Sequence, residues 1–256
     1  MNRFFLFIAG AVIVFFGCSS TKVDLSGKDL EKRFNKGMGY FEKKKYYRAQ
    51  EEFEYVLLRG KHTELGDDAQ FYLAESYFLN KEYILAISEY ERLVRQMTYS
   101  PFVEEARWRI CQSYFKKSPK YYHDQDYTVK AIDKLQEFIE DYPNSDYRET
   151  SVETIGTLRD KLAKKVYESG ILYIKLEEYK SAISYFEDLL LTYYDTLLAD
   201  QARVKIIEVY IKENSLEDAQ KFLDQNESKF QDKKLLKTAK SLIADGQSKK
   251  RSKGGS

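Results

Sequence analysis

Apolar residues recur along this chain at the three-and-four spacing of amphipathic helices, and short polar segments separate one apolar-periodic stretch from the next. The stretches repeat. Each can be aligned on a small residue, a Tyr three positions later, an Ala twelve later and a large apolar residue sixteen later. The first copy has Gly37, Tyr40, Ala49 and Phe53, and the second has Ala74, Tyr77, Ala86 and Tyr90. The third has Cys111 and Tyr114, with Ala131 and Leu135 displaced by eight residues. The fourth has Gly170, Tyr173, Ala182 and Phe186, and the weaker fifth has Ile207, Tyr210, Ala219 and Leu223. Anchors at 37, 74 and 111, then at 170 and 207, give a local period of 37.

Small residues at fixed places in two successive helices let the helices press together, and the large residues fill the space around them. This pattern resembles the tetratricopeptide (TPR) repeat. It predicts an all-α solenoid of about five helix-turn-helix repeats, with the three extra residues per period placed in loops such as 60–66 and 97–101. Pro101, Pro119 and Pro143 all fall between periodic stretches, where they break no helix. Two irregularities stand out. The turn inside the third repeat grows into Lys116-Lys117-Ser118-Pro119-Lys120-Tyr121-Tyr122-His123-Asp124-Gln125-Asp126. Between the third and fourth repeats, Tyr147 to about Lys175 is expected to form one long helix. Repeats one to three then occupy 29–145, and the junction helix with repeats four and five occupies 146–245. From Gly246 to Ser256 the chain has no apolar face and is expected to be disordered.

In such repeats the first helix lines the concave face, chiefly through the positions three before and four after the anchor. Those positions are Phe34 and Phe41, Phe71 and Phe78, and Trp108 and Phe115 in the first three repeats. Each pair is two turns apart and shares a helix face. In the last two repeats they are Tyr167, Ile174, Val204 and Ile211. Two readings fit the six aromatic positions: core between repeats, or a groove for an extended or helical peptide rich in aromatics.

The amino terminus is of a different kind. Met1-Asn2-Arg3 is followed by the uncharged, mainly apolar run Phe4–Phe16. Thirteen helical residues reach about 20 Å, short of a hydrocarbon core of about 30 Å, so 1–17 reads as a signal peptide. The sequence Gly17-Cys18-Ser19 resembles a lipobox, making Cys18 the lipidated residue and 18–28 a polar tether. Ser19 is not the aspartate of inner-membrane retention, which favours the outer membrane. Two acyl chains or more hold a protein on a bilayer. Cys111 is left as a small apolar residue.

Charge and composition narrow the function. Lys and Arg total 42 against 41 Asp and Glu, without the basic excess that phosphate backbones demand, so nucleic acid is not an expected partner. His62 and His123 lack further metal ligands at useful spacing. No phosphate loop, nucleophile elbow or zinc motif occurs. A non-enzymatic protein without cofactor or metal is expected.

The third-repeat turn carries a closer likeness. Ser118-Pro119, Asp124-Gln125, Thr128 and Ala131-Ile132, followed by Phe138-Ile139 and Tyr142-Pro143-Asn144-Ser145, together with Cys18 and the five repeats, resemble the BamD (YfiO/ComL) family of outer-membrane assembly lipoproteins. The likeness covers residues 1 to about 230. It implies a periplasm-facing, lipid-anchored scaffold of the β-barrel assembly machinery. It further implies docking on a BamA-like barrel protein, association with the machine's other lipoproteins, and reception of unfolded outer-membrane proteins. Two other envelope roles stay open: a coordinator of Tol-Pal or peptidoglycan components, and a secretin pilotin. A pilotin does not need the long third turn, and no coiled-coil segment fits between Cys18 and Glu31 for a Tol-associated coordinator.

Overall fold

The computed structural model describes residues 27–254, with side chains to Lys249. Cys18, segment 1–17 and most of segment 18–28 lie outside the described residues. Helices pair in sequence order: α1 (Gly27–Glu42) with α2 (Tyr46–Gly60), α3 (Gly66–Leu79) with α4 (Tyr83–Gln96), and α5 (Val103–Lys117) with α6 (Asp126–Asp141). The long α7 (Arg148–Lys175) pairs with α8 (Tyr179–Thr192), and α9 (Ala199–Lys212) pairs with both α10 (Leu216–Asn226) and α11 (Lys233–Gly254). These are five TPR-type hairpins with one further helix at the carboxy-terminal end. α1 begins at Gly27, inside the segment expected to be tether.

The repeat residues set the distance between paired helices. Ala49, Ala74, Ala86, Ala131, Ala182 and Ala219 are fully buried. A Cβ on Gly37 would come within 2.8 Å of the Phe53 ring, and one on Gly170 within 2.7 Å of the Phe186 ring. Both distances are below ordinary carbon contact, so only glycine lets the partner's ring lie flat on the helix.

Four of the five hairpins close in the same way. Lys44, Lys81, Glu177 and Asn214, each seven residues after its anchor, are left-handed with φ of 56°, 66°, 60° and 59°. In the first, the Lys44 N–H donates to Phe41 O and the Lys45 N–H to Tyr40 O, both at 2.9 Å. The other three repeat this pairing. It is the Schellman closure, which satisfies the last carbonyls of the first helix.

The third hairpin departs from this rule. Ser118, at the equivalent position, has φ −59° and ψ 119° and leads the chain into the long turn. The turn is folded around one buried amide. Gln125 Nε2 donates to the carbonyls of Lys120, Tyr121 and His123 at 2.9, 3.2 and 3.0 Å. Thr128, fully buried, donates to Gln125 Oε1 at 2.7 Å and contacts Ser118 Oγ at 2.5 Å.

α7 serves two cores. Ile155, Leu158 and Leu162 from its first half pack with Trp108, Leu135 and Phe138. Ala163, Val166 and Tyr167 pack with Phe186 and Ala202.

The carboxy-terminal end corrects one expectation. Instead of losing structure at Gly246, the chain continues α11 to Gly254. The abundant lysines of this segment hide an apolar stripe. Ala239 and Ile243 are buried against Val204, Ile207 and Leu223, with Leu235, Leu236 and Leu242 beside them. Gly246 still lies against Leu216, where an added Cβ would come within 2.6 Å. An additional contact seats the helix. Asp200 Oδ2 accepts the N–H groups of Gln231 and Asp232 at 2.8 and 2.7 Å, while its Oδ1 accepts Arg203 at 2.6 Å. No described helix is long and apolar enough to cross a membrane.

Candidate protein-binding face

A stacked repeat array presents an extended concave surface, and the first helices expected to line it are α1, α3, α5, the second half of α7, and α9. The six aromatic positions do not behave alike. Phe71 and Trp108 are only 5% and 6% exposed. Each is covered by a ring from the connection to the next repeat. Phe71 stacks on Phe102 with centroids 4.5 Å apart and planes at 13°, and Trp108 stacks on Tyr147 at 5.0 Å and 7°. In this conformation these two are core between repeats, and neither presents an open ring. Phe34 is half-buried against Phe53 and Tyr72, at 5.6 and 6.1 Å. Phe41, Phe78 and Phe115 are half-buried as well. Phe41 and Phe78 make edge-on contacts with Tyr46 and Tyr83 at the start of the paired helices. The four half-buried rings keep an open edge. In the last two repeats Val204 is buried, and Tyr167, Ile174 and Ile211 are half-buried.

Beside the rings runs a charged network that the repeat pattern did not bring out. Glu75, one residue after the second anchor, is 5% exposed and accepts a hydrogen bond from the buried Tyr90 hydroxyl. Arg109 of the next repeat places Nε 2.7 Å from the same carboxylate, and Glu105 lies 3.7 Å from Arg109 Nη2. The guanidinium also lies over the Phe78 ring, 5.3 Å from its centroid. Burial pushes the Glu75 carboxyl above its ordinary value, although Arg109 and Tyr90 pull the other way. The Tyr90 hydroxyl is raised in turn, first by burial and then by Glu75. One sequence signal could have revealed the network. The first and fourth repeats place Phe where the second has Tyr90, and a buried phenol needs an acceptor.

A pocket of about 210 Å³ opens among α4, α5 and α6, with Val94, Ile110, Cys111 and Phe138 in its apolar part. The Cys111 thiol donates to Lys134 O at 3.1 Å, and burial pushes its pKa up to about 12. A thiol held protonated in this way is a poor nucleophile. Among the described residues no group of His, Cys, Asp and Glu is gathered to hold a metal ion.

The chain has relatives among known proteins. It is 26% identical over 189 residues to the outer membrane protein assembly factor BamD of Rickettsia prowazekii (strain Madrid E), covering 74% of this chain and 75% of that one. Among solved structures it is similar to the TPR2AB domain of yeast Sti1, in a complex with pHSP90. That likeness has 14% identity and a TM-score of 0.44, over 87% of this chain and 84% of that one. It is also similar to a thermophilic TPR protein of Thermus thermophilus, with 16% identity and a TM-score of 0.34, over 84% and 99% of the two chains. A family model described as outer membrane lipoprotein, YfiO, matches residues 27–221, from the first residue of α1 into α10. The chain belongs to the YfiO family of outer membrane lipoproteins.

Proposed function

We propose that this protein is a non-enzymatic scaffold of the β-barrel assembly machinery, held by lipid on Cys18 at the periplasmic face of the outer membrane. The observation that carries this reading is the family match across all five hairpins, including the unusual third turn. In this proposal the inner face of the first three repeats receives segments of unfolded outer-membrane proteins. Phe34, Phe41, Phe78 and Phe115 supply ring edges there, with Phe71 and Trp108 as the floor behind them. Arg109, held in place by Glu75, orients the bound backbone.

The carboxy-terminal half docks the BamA-like barrel protein, and other lipoproteins of the machine join on the remaining surface. The end of α8 and its connection to α9 support this assignment. Leu191, Tyr194 and Leu197 are 79%, 63% and 82% exposed within seven residues. Apolar side chains concentrated in this way on a surface mark a contact site.

Co-purification tests the reading. The tagged full-length protein, extracted in non-ionic detergent, should bring down a BamA-like barrel. A Leu191→Ser/Leu197→Ser variant should bring down much less, and Cys18→Ser should leave the membrane fraction. Recovery of Tol-Pal or secretin components without a barrel protein would replace this reading.

A further inference from the structure

The third turn and the middle of α7 bring together a group of lysines without acidic partners. Lys161 Nζ donates to Ser118 Oγ at 2.7 Å, and Lys165 Nζ donates to His123 O at 2.9 Å. Lys164 sits over the Tyr121 ring at 4.8 Å, and Lys117 over the Tyr127 ring at 5.3 Å. Lys120 is exposed on the turn itself. Among the described residues none of these five forms an ion pair, although Lys36, Lys134, Lys205 and Lys240 each do. The nearby Asp124 carboxylate is engaged by the Asp126 backbone N–H at 3.0 Å. The chain as a whole carries a formal charge of only +1, so this group is a local concentration of positive charge and not part of a general excess.

We infer that the lysine-lined surface where the third turn meets the middle of α7 binds a carboxylate-rich extended segment of a partner protein. Three features select that occupant. The surface is preformed, because Gln125 holds the carbonyls of Lys120, Tyr121 and His123 and a ligand need not order the turn. Lys161 is partly desolvated without a countercharge, and burial holds its pKa below the ordinary lysine value; an incoming carboxylate supplies the missing charge. Lys161 is half-buried with its ammonium against Ser118, whereas Lys117, Lys120, Lys164 and Lys165 are exposed around it. An acidic side chain of an extended segment can reach the recessed Lys161, whereas a flat bilayer surface meets only the exposed four. The Tyr122 ring, 58% exposed at the rim, offers an apolar contact to the side chains between the carboxylates. The site spans the third hairpin and the helix that begins the fourth, so its occupant grips both halves of the array.

The test uses the full-length acylated protein in non-ionic detergent and a labelled peptide of alternating Glu and Gly, read by fluorescence anisotropy. Binding should weaken steeply as salt rises, since exposed charges are screened within about 8 Å at physiological ionic strength. A Lys120→Gln/Lys164→Gln/Lys165→Gln variant should bind about tenfold more weakly, from three screened contacts of modest strength. Its melting temperature should stay nearly unchanged, because these three lysines are exposed and form no ion pair. Lys161→Gln alone should weaken binding while keeping a hydrogen bond to Ser118. A control that neutralises Lys233, Lys234 and Lys237 on α11 should bind as the parent does. Equal loss in that control, or full affinity in the variants of the third turn and α7, overturns the proposal. So does binding to vesicles containing phosphatidylglycerol without binding to the peptide, which would make the patch a lipid contact.

Discussion

Gly170 shows how narrow the choice of residue is at a repeat anchor. Its missing Cβ is what lets the fully buried Phe186 ring lie against α7. Gly170→Ala therefore gains helix propensity but overpacks a rigid ring, and a net loss of about 1–3 kcal/mol in urea unfolding is expected. Stability at or above the parent's would mean that the ring yields freely. Glu75 makes a different kind of prediction, because it faces Arg109, Tyr90 and Glu105 in a desolvated place. Its folded pKa is raised, so its contribution to stability is complete below the unfolded value and is lost as pH rises through the folded one. Glu75→Gln should flatten the fall in stability as pH rises above the ordinary glutamate range. An unaltered slope would mean that Arg109 fully compensates the burial. The sequence shows that the six aromatic positions share a face but not what covers them. Phe102 and Tyr147, which stack on Phe71 and Trp108, lie in connections outside the helical period, so core and groove look alike until the chain is folded.

The hairpin turns and α11 were legible to different degrees. Turn positions followed from the repeat period, but the left-handed closures did not. Lys44, Lys81 and Glu177 stand where glycine or asparagine usually signals one, and only Asn214 has the expected side chain. A left-handed conformation costs an ordinary residue roughly 1–2 kcal/mol, and glycine returns about half of that as lost chain freedom. Lys81→Gly should therefore stabilise the protein by about 0.5–1 kcal/mol in thermal melts. A destabilised variant would show that the lysine side chain contributes contacts of its own. α11 was hidden by its lysines, and beside its apolar stripe a single residue far away in sequence anchors its start. Asp200 is 6% exposed and holds both the start of α11 and the 5%-exposed Arg203. Asp200→Ala strands a buried guanidinium and should cost about 3–5 kcal/mol. Hydrogen exchange should rise first at Gln231, Asp232 and along α11. Asp200→Asn keeps acceptors for the two N–H groups and should lose less. Equal exchange at these amides in all three proteins would remove the latch role.

The contacts among helices run almost entirely between neighbours in the sequence, the pairing of α11 with α9 being the main exception. The buried clusters follow one another along the array, from that around Phe53 to that around Ile207. Stability in such an array is a sum of local and nearest-neighbour terms, so a core lesion should be felt near its own repeat. α7 sets the limit to that locality, because one continuous helix serves both the Trp108–Phe138 cluster and the Phe186 cluster. Leu223→Ala, which removes a side chain only 3% exposed between α9, α10 and α11, should cost about 2–5 kcal/mol locally. Its effect on hydrogen exchange should be large in α9–α11, reduced in α8 and the second half of α7, and absent in α1–α4. Phe53→Ala should produce the mirror image, loosening α1–α3 and sparing α9–α11. If either substitution raised exchange uniformly along the chain, the array would be unfolding as one cooperative unit. α7 would then be transmitting the loss from one half to the other, and the partner-binding halves could not be loosened separately.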